Sequence, residues 1–152
     1  MQISKHLSFE ECTHSDTADK LGIVNNNPNL SVIENMKILA NKVFEPIREH
    51  FNEPIYVSSV YRGLNLNNAI HGAITSQHCS GQAMDINMKD SKITNAILFH
   101  WIKDNLVFDQ LIWEFGTKTN PDWVHVSYSK EKNRKQVLKG IKVKGKTHYE
   151  NF

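Results

Sequence analysis

Ser76-Gln77-His78-Cys79-Ser80-Gly81-Gln82-Ala83-Met84-Asp85 sets an imidazole and a carboxylate seven residues apart, and a second imidazole follows in Asp122-Trp123-Val124-His125. Two imidazoles and one carboxylate are the ligand types that hold a divalent zinc while leaving a fourth position for water. An open position separates a catalytic zinc from a structural one, so this residue set points to metal-assisted hydrolysis.

The elements around these residues suit that role. Ser80-Gly81 is a turn signal, so the chain can reverse after His78 and carry Asp85 back beside it on a strand. Alternation over Ala83 to Met88 puts Met84, Ile86 and Met88 on a buried face and Asp85 on the other. The same parity sets His125 with Trp123 and Ser127, opposite Val124 and Val126. The other histidines, His6, His14, His50, His71, His100 and His148, have no comparable context and receive no role. Cys79 is expected to be a free thiol, because neighbouring residues rarely direct both side chains to one metal.

The pattern SxHxxGxAxD with a strand-borne xxxHxS resembles the zinc-binding signature of the D-alanyl-D-alanine carboxypeptidase and murein-endopeptidase family of zinc peptidases, which includes phage endolysins and, more distantly, hedgehog domains. Leu7-Ser8-Phe9-Glu10-Glu11, Ser15 to Ala18, Val57 to Asn65 and Phe108 to Glu114 also look like the small single-domain branch of that family. The resemblance implies zinc held by His78, Asp85 and His125, Arg62 as the guanidinium that steadies the transition state, and Ser76 as a substrate-binding hydroxyl. It also implies peptidoglycan stem or cross-bridge peptides as substrates.

Zinc lowers the pKa of a bound water from 15.7 to about 7 and polarises the scissile carbonyl. A carboxylate must still move the proton to the leaving amine. Many relatives carry Glu three residues before the last histidine ligand, where this chain has Asp122. Glu114 is the rival. A hairpin that pairs Phe115 with Asp122 sets Ile112 opposite His125 and brings Glu114 to the His125 face. Arg62 follows the apolar run Ile55 to Val60, and its planar fork suits an oxyanion or a carboxylate in a way that lysine does not.

Composition bounds the remainder. A chain of 152 residues, 39% hydrophobic and 22% charged, matches one globular domain with its own core. Two cysteines, Cys12 and Cys79, argue against a disulfide framework and for synthesis in a reducing compartment. A net charge of +2 gives no case for nucleic acid as a partner. The N-terminus lacks the apolar core of a signal peptide, and no run approaches ~20 apolar residues. Action at the cell wall therefore calls for release by holin, carriage in a virion or a non-classical route. A monomer is expected.

The periodicity predicts an α+β fold, a small antiparallel sheet with helices on one face and the zinc site at the other. Ser8 with Glu11 forms a capping-box pattern for a first helix, and Asn25 to Asn29 reads as a plain loop. A long amphipathic helix is capped at Ser31 and kinked at Pro46. A strand over 55–60, a short helix from Leu64 to Ala73, a helix from Ile93 to Leu106, and strands near 83–88, 110–115 and 123–128 complete the outline. Residues 1–140 form the zinc-peptidase domain and 141–152 a basic, mobile tail, since lysines dominate from Ser129 to Lys146. The sequence thus predicts a zinc metallopeptidase hydrolysing peptidoglycan peptides. The alternative is a zinc-stabilised binding module of the same fold without catalysis.

Overall fold

The computed structural model describes residues 1–152. Four helical segments precede the sheet: α1 (Phe9–Thr13), α2 (Asp16–Leu21), α3 (Leu30–Leu39) and α4 (Glu45–Phe51), with a π-helical turn, Ala40–Phe44, joining the last two. They are followed by β1 (Tyr56–Ser59), α5 (Leu64–Ala69), β2 (Ala83–Asn87), α6 (Asn95–Asn105), β3 (Gln110–Glu114), β4 (Trp123–Ser127), β5 (Gln136–Val143) and β6 (Lys146–Asn151). No helix is long and apolar enough to cross a membrane.

Local chemistry sets the helix boundaries. Ser8 caps α1 in a reciprocal capping box with Glu11, as its spacing predicts. The long helix is capped by Asn29 rather than Ser31, since the Asn29 side chain accepts from the Val32 amide. Pro46 lies just beyond the π turn inside a continuous helical backbone, where the widened turn takes up the irregularity that its missing N–H creates. The polar triad of Ser4, His6 and Glu45 ties the N-terminal segment to that point. Ser4 Oγ donates to Glu45 Oε1 at 2.6 Å, and His6 Nδ1 lies 2.7 Å from Oε2.

The sheet has six strands in the order β1-β2-β4-β3-β5-β6. All neighbours are antiparallel except β3 and β5, which run parallel, so the expected all-antiparallel sheet gains one parallel pair. The 141–152 segment, expected as a mobile tail, supplies the end of β5 and all of β6, paired from Val143–Lys146 to Leu138–Asn151. Lysine density favours a solvated tail over this stretch. Its period-2 pairing, turned by Lys144 and Gly145 in the left-handed region, decides the structure.

One sheet face builds the core. Met84, Ile86, Leu111, Trp113, Val124 and Val126 pack with Met36, Leu39, Val43 and Ile47 of the long helix and with Leu98, Phe99 and Ile102 of α6. The other face carries Asp85, Ile112, Glu114, Trp123 and His125, as alternation requires.

Candidate active site

The β2–β4 ladder pairs Asp85 directly opposite His125, and His125 Nδ1 lies 3.0 Å from Asp85 Oδ1. His78 approaches from the loop between α5 and β2, with Nε2 at 3.3 Å from Asp85 Oδ2. Its Nδ1 is 2.9 Å from the Val60 carbonyl, which can only accept, so Nδ1 donates there and Nε2 is the atom turned to Asp85 and available to a metal. One ligand atom from each of the three residues falls within 4.8 Å of the others. Metal–ligand bonds of ~2.0–2.1 Å in a tetrahedron give ligand–ligand edges of ~3.3 Å, close to the two measured distances. Burial raises the Asp85 pKa, but the two imidazoles outweigh it and hold the carboxyl well below the usual range. The donor set fits zinc.

The loop that carries His78 is fixed to the long helix. Gly81 has φ +69°, and a Cβ there would lie 2.8 Å from both the Val32 carbonyl oxygen and Met36 Cγ. Asn35 Nδ2 donates to the Ser80 carbonyl at 2.9 Å beside it. Glycine is thus required twice, by the turn and by the contact.

Arg62 follows β1, and its amide donates to the His78 carbonyl at 3.1 Å. Its guanidinium contacts Asn67 Oδ1 at 3.3 Å. Buried Asn67 is itself held by the Ala73 carbonyl, and Gly72 lies so near it that a Cβ would meet its Oδ1. Asn25 clamps the same turn. Its amide donates to the Thr13 and Tyr61 carbonyls, and its oxygen accepts from the Gly63 amide at 2.7 Å. The sequence placed Asn25 in a plain loop and gave Asn67 no role, because an asparagine in a polar run carries no mark of burial.

Ile112 stands opposite His125 and Glu114 opposite Trp123, the register that pairing Phe115 with Asp122 predicts. Glu114 is therefore on the metal-cluster face. It is buried, its Oε2 has no partner, and Oε1 has only the Tyr149 hydroxyl at 3.5 Å. Burial pushes its pKa up to about 7, His125 pulls it back, and Asp85 adds to the rise. A buried carboxyl with an orphaned oxygen beside two imidazoles and a carboxylate is what a site for a cation looks like without its charge. Asp122 is exposed and just outside β4; its amide donates to the Glu114 carbonyl.

The cleft over the cluster encloses about 660 Å³ and is lined by Arg62, Ser76, His78, Asp85, Glu114 and His125, with Gln110, Leu138, Thr147 and Tyr149 on the β5–β6 side. A second hollow of about 360 Å³ shares Arg62, Asp85 and Trp123 with it and extends past Asp122 toward Ser15, Thr17 and Ile70. The two hollows adjoin at the three shared residues. His71, given no role from sequence, lines the first hollow. Cys79 is a free thiol and makes no part of the cluster. Asp109 sits beneath one wall, where Arg134 Nε and Nη2 bind it at 2.9 and 2.8 Å and Gln77 Nε2 at 2.9 Å.

Residues 5–127 match the family model described as Peptidase M15. No curated protein matches the chain.

Proposed function

The chain belongs to the Peptidase M15 family, whose members are zinc-dependent peptidases, and from that premise we propose that it hydrolyses peptide bonds of peptidoglycan. The observation that carries this reading is the His78–Asp85–His125 cluster lining an open cleft, with the Arg62 guanidinium, which has no carboxylate partner, and the carboxylates of Glu114 and Asp122 around it. His78, Asp85 and His125 are the residues that would hold zinc. When bound there, zinc supplies Lewis acidity toward the scissile carbonyl and makes water acidic enough to ionise near neutrality.

The chain's own residues complete the reaction. Arg62, steadied by Asn67, presents planar N–H donors to the carbonyl oxygen as it becomes an oxyanion. Ser76, lining the same cleft, is the hydroxyl that binds the substrate backbone. Glu114 takes the proton from water and returns it to the departing amine. It lines the cleft on the His125 face of the sheet, buried and with one oxygen unpaired. Asp122 offers a second reading for the base. It holds the position where many relatives carry Glu, and it lines the groove beside Arg62 and Asp85.

Two adjoining hollows that share Arg62, Asp85 and Trp123 offer room for a peptide that continues past the cleaved bond, which favours internal cutting of a stem or cross-bridge peptide. Digestion of purified muropeptides followed by mass spectrometry tests this. Internal cuts by the zinc-loaded protein support the endopeptidase reading, and release of single D-Ala residues replaces it with the carboxypeptidase type. Zinc uptake with no cleavage transfers the case to a silent binding module. Wild type is run beside Glu114→Gln and Asp122→Asn, and the base is the residue whose loss drops turnover ~10²- to 10⁴-fold with zinc retained.

A further inference from the structure

Gly140 lies inside β5, paired with Glu114 of β3 on one side and Tyr149 of β6 on the other. A glycine within a strand weakens it and commonly marks a close approach. Here the approach is explicit, since a Cβ on Gly140 would lie 2.7 Å from Glu114 Oε2 and 3.1 Å from Tyr149 Cε1. Strands β3 and β6 are two places apart, roughly 9.5 Å, too far for direct cross-strand pairing. The absent side chain lets the carboxyl and the phenol close over the strand between them. Tyr149 Oη then reaches Glu114 Oε1 at 3.5 Å, as the sole partner of that side chain. Burial, with Glu114 and Asp85 adding to it, pushes the phenol up to about 12, so it keeps its proton and can donate. Both Gly140 and Tyr149 lie beyond the residues matched to the family.

We infer that Tyr149, seated over Gly140, is a positioning residue that fixes the Glu114 carboxyl toward the His78–Asp85–His125 cluster. The inference rests on the reading of Glu114 as the base. At 3.5 Å the bond is long and weak, so its loss should cost the fold little, and the ring seated over Gly140 helps to confine the carboxyl. Loss of one such donor is expected to slow turnover roughly five- to tenfold.

The test compares Tyr149→Phe, which keeps the ring over Gly140, with Gly140→Ala, which drives a methyl into the carboxyl. Tyr149→Phe is expected to lower kcat with KM and zinc content unchanged, and Gly140→Ala to lower it further. In the Glu114→Gln background Tyr149→Phe should add nothing, because both act through one group. In metal-free protein the Glu114 side-chain carbonyl carbon should shift its NMR resonance in Tyr149→Phe. An unmoved resonance would overturn the inference, as would a Tyr149→Phe loss that persists in full on Glu114→Gln, since the phenol would then act on substrate directly. If Glu114→Gln keeps wild-type turnover, the base assignment fails instead, and the resonance alone decides whether Tyr149 positions Glu114.

Discussion

Replacing Glu114 with Gln should stabilise the metal-free protein while disabling it. The carboxyl is buried with one oxygen unpaired, and its pKa rises from an ordinary 4.5 to about 7. Below pH ~4 it is protonated in both folded and unfolded chains and contributes nothing to pH dependence. As pH rises from 4.5 to 7 the unfolded chain releases its proton while the folded one keeps it, so stability falls. At 1.36 kcal/mol per pH unit, the whole interval amounts to ~3 kcal/mol. Gln keeps the shape without the charge, but its amide also needs partners, which takes back ~1 kcal/mol. The net gain is then ~2 kcal/mol at pH 8, or roughly 4–8 °C in melting temperature for a domain of this size. Urea unfolding of chelator-treated wild type and Glu114→Gln at pH 4 and pH 8 measures it. A gap of equal size at both pH values, or none at pH 8, would refute the reasoning. Zinc should close the gap, because a dication beside the carboxylate replaces the missing counter-charge.

Two further outcomes are expected. Arg62→Ala should lower kcat by on the order of 10²-fold with a small change in KM, and Arg62→Lys should recover only part of it; steady-state cleavage of defined muropeptides checks both. Asp109→Asn should cost ~2.5 kcal/mol at pH 7, because Arg134, outweighing the effect of burial, holds the Asp109 carboxyl down at about 2. That contribution is complete above pH ~4 and is lost as pH falls through about 2, so urea curves of the two proteins should separate at pH 7 and converge at the acid end.

The sequence made parity-dependent features legible and left distance-dependent ones hidden. Alternation along β2 and β4 put Asp85 and His125 on one face, and the hairpin register followed from a single assumed pair. His78 could be tied to them through Gly81, although Gly81 was legible as a turn and not as the point where the loop touches Val32 and Met36. Glu114 could be placed on the correct face but not recognised as buried, because what covers it is Tyr149 from a strand two places away. Asn25 was invisible for the same reason, since its partners at Tyr61 and Gly63 lie far along the chain, whereas the partners of Asn67 are local and only its burial was hidden. Lysine density concealed β5 and β6, where long side chains reach solvent while the backbone pairs.

The π turn at Ala40–Phe44 accommodates one residue more than an α-helix of the same height would hold. Val32, Met36 and Leu39 before it and Ile47 after it all face the core, so the extra residue is absorbed locally. Excision of one residue between Ala40 and Phe44 would return the stretch to regular α-helix with Ile47 still facing the core and Glu45 still facing Ser4 and His6. A second excision has no slack to draw on: it would turn everything beyond it by about 100° and swing Glu45 away from Ser4 and His6. The stretch thus holds one spare residue of length between the chain's beginning and the sheet that carries the metal cluster.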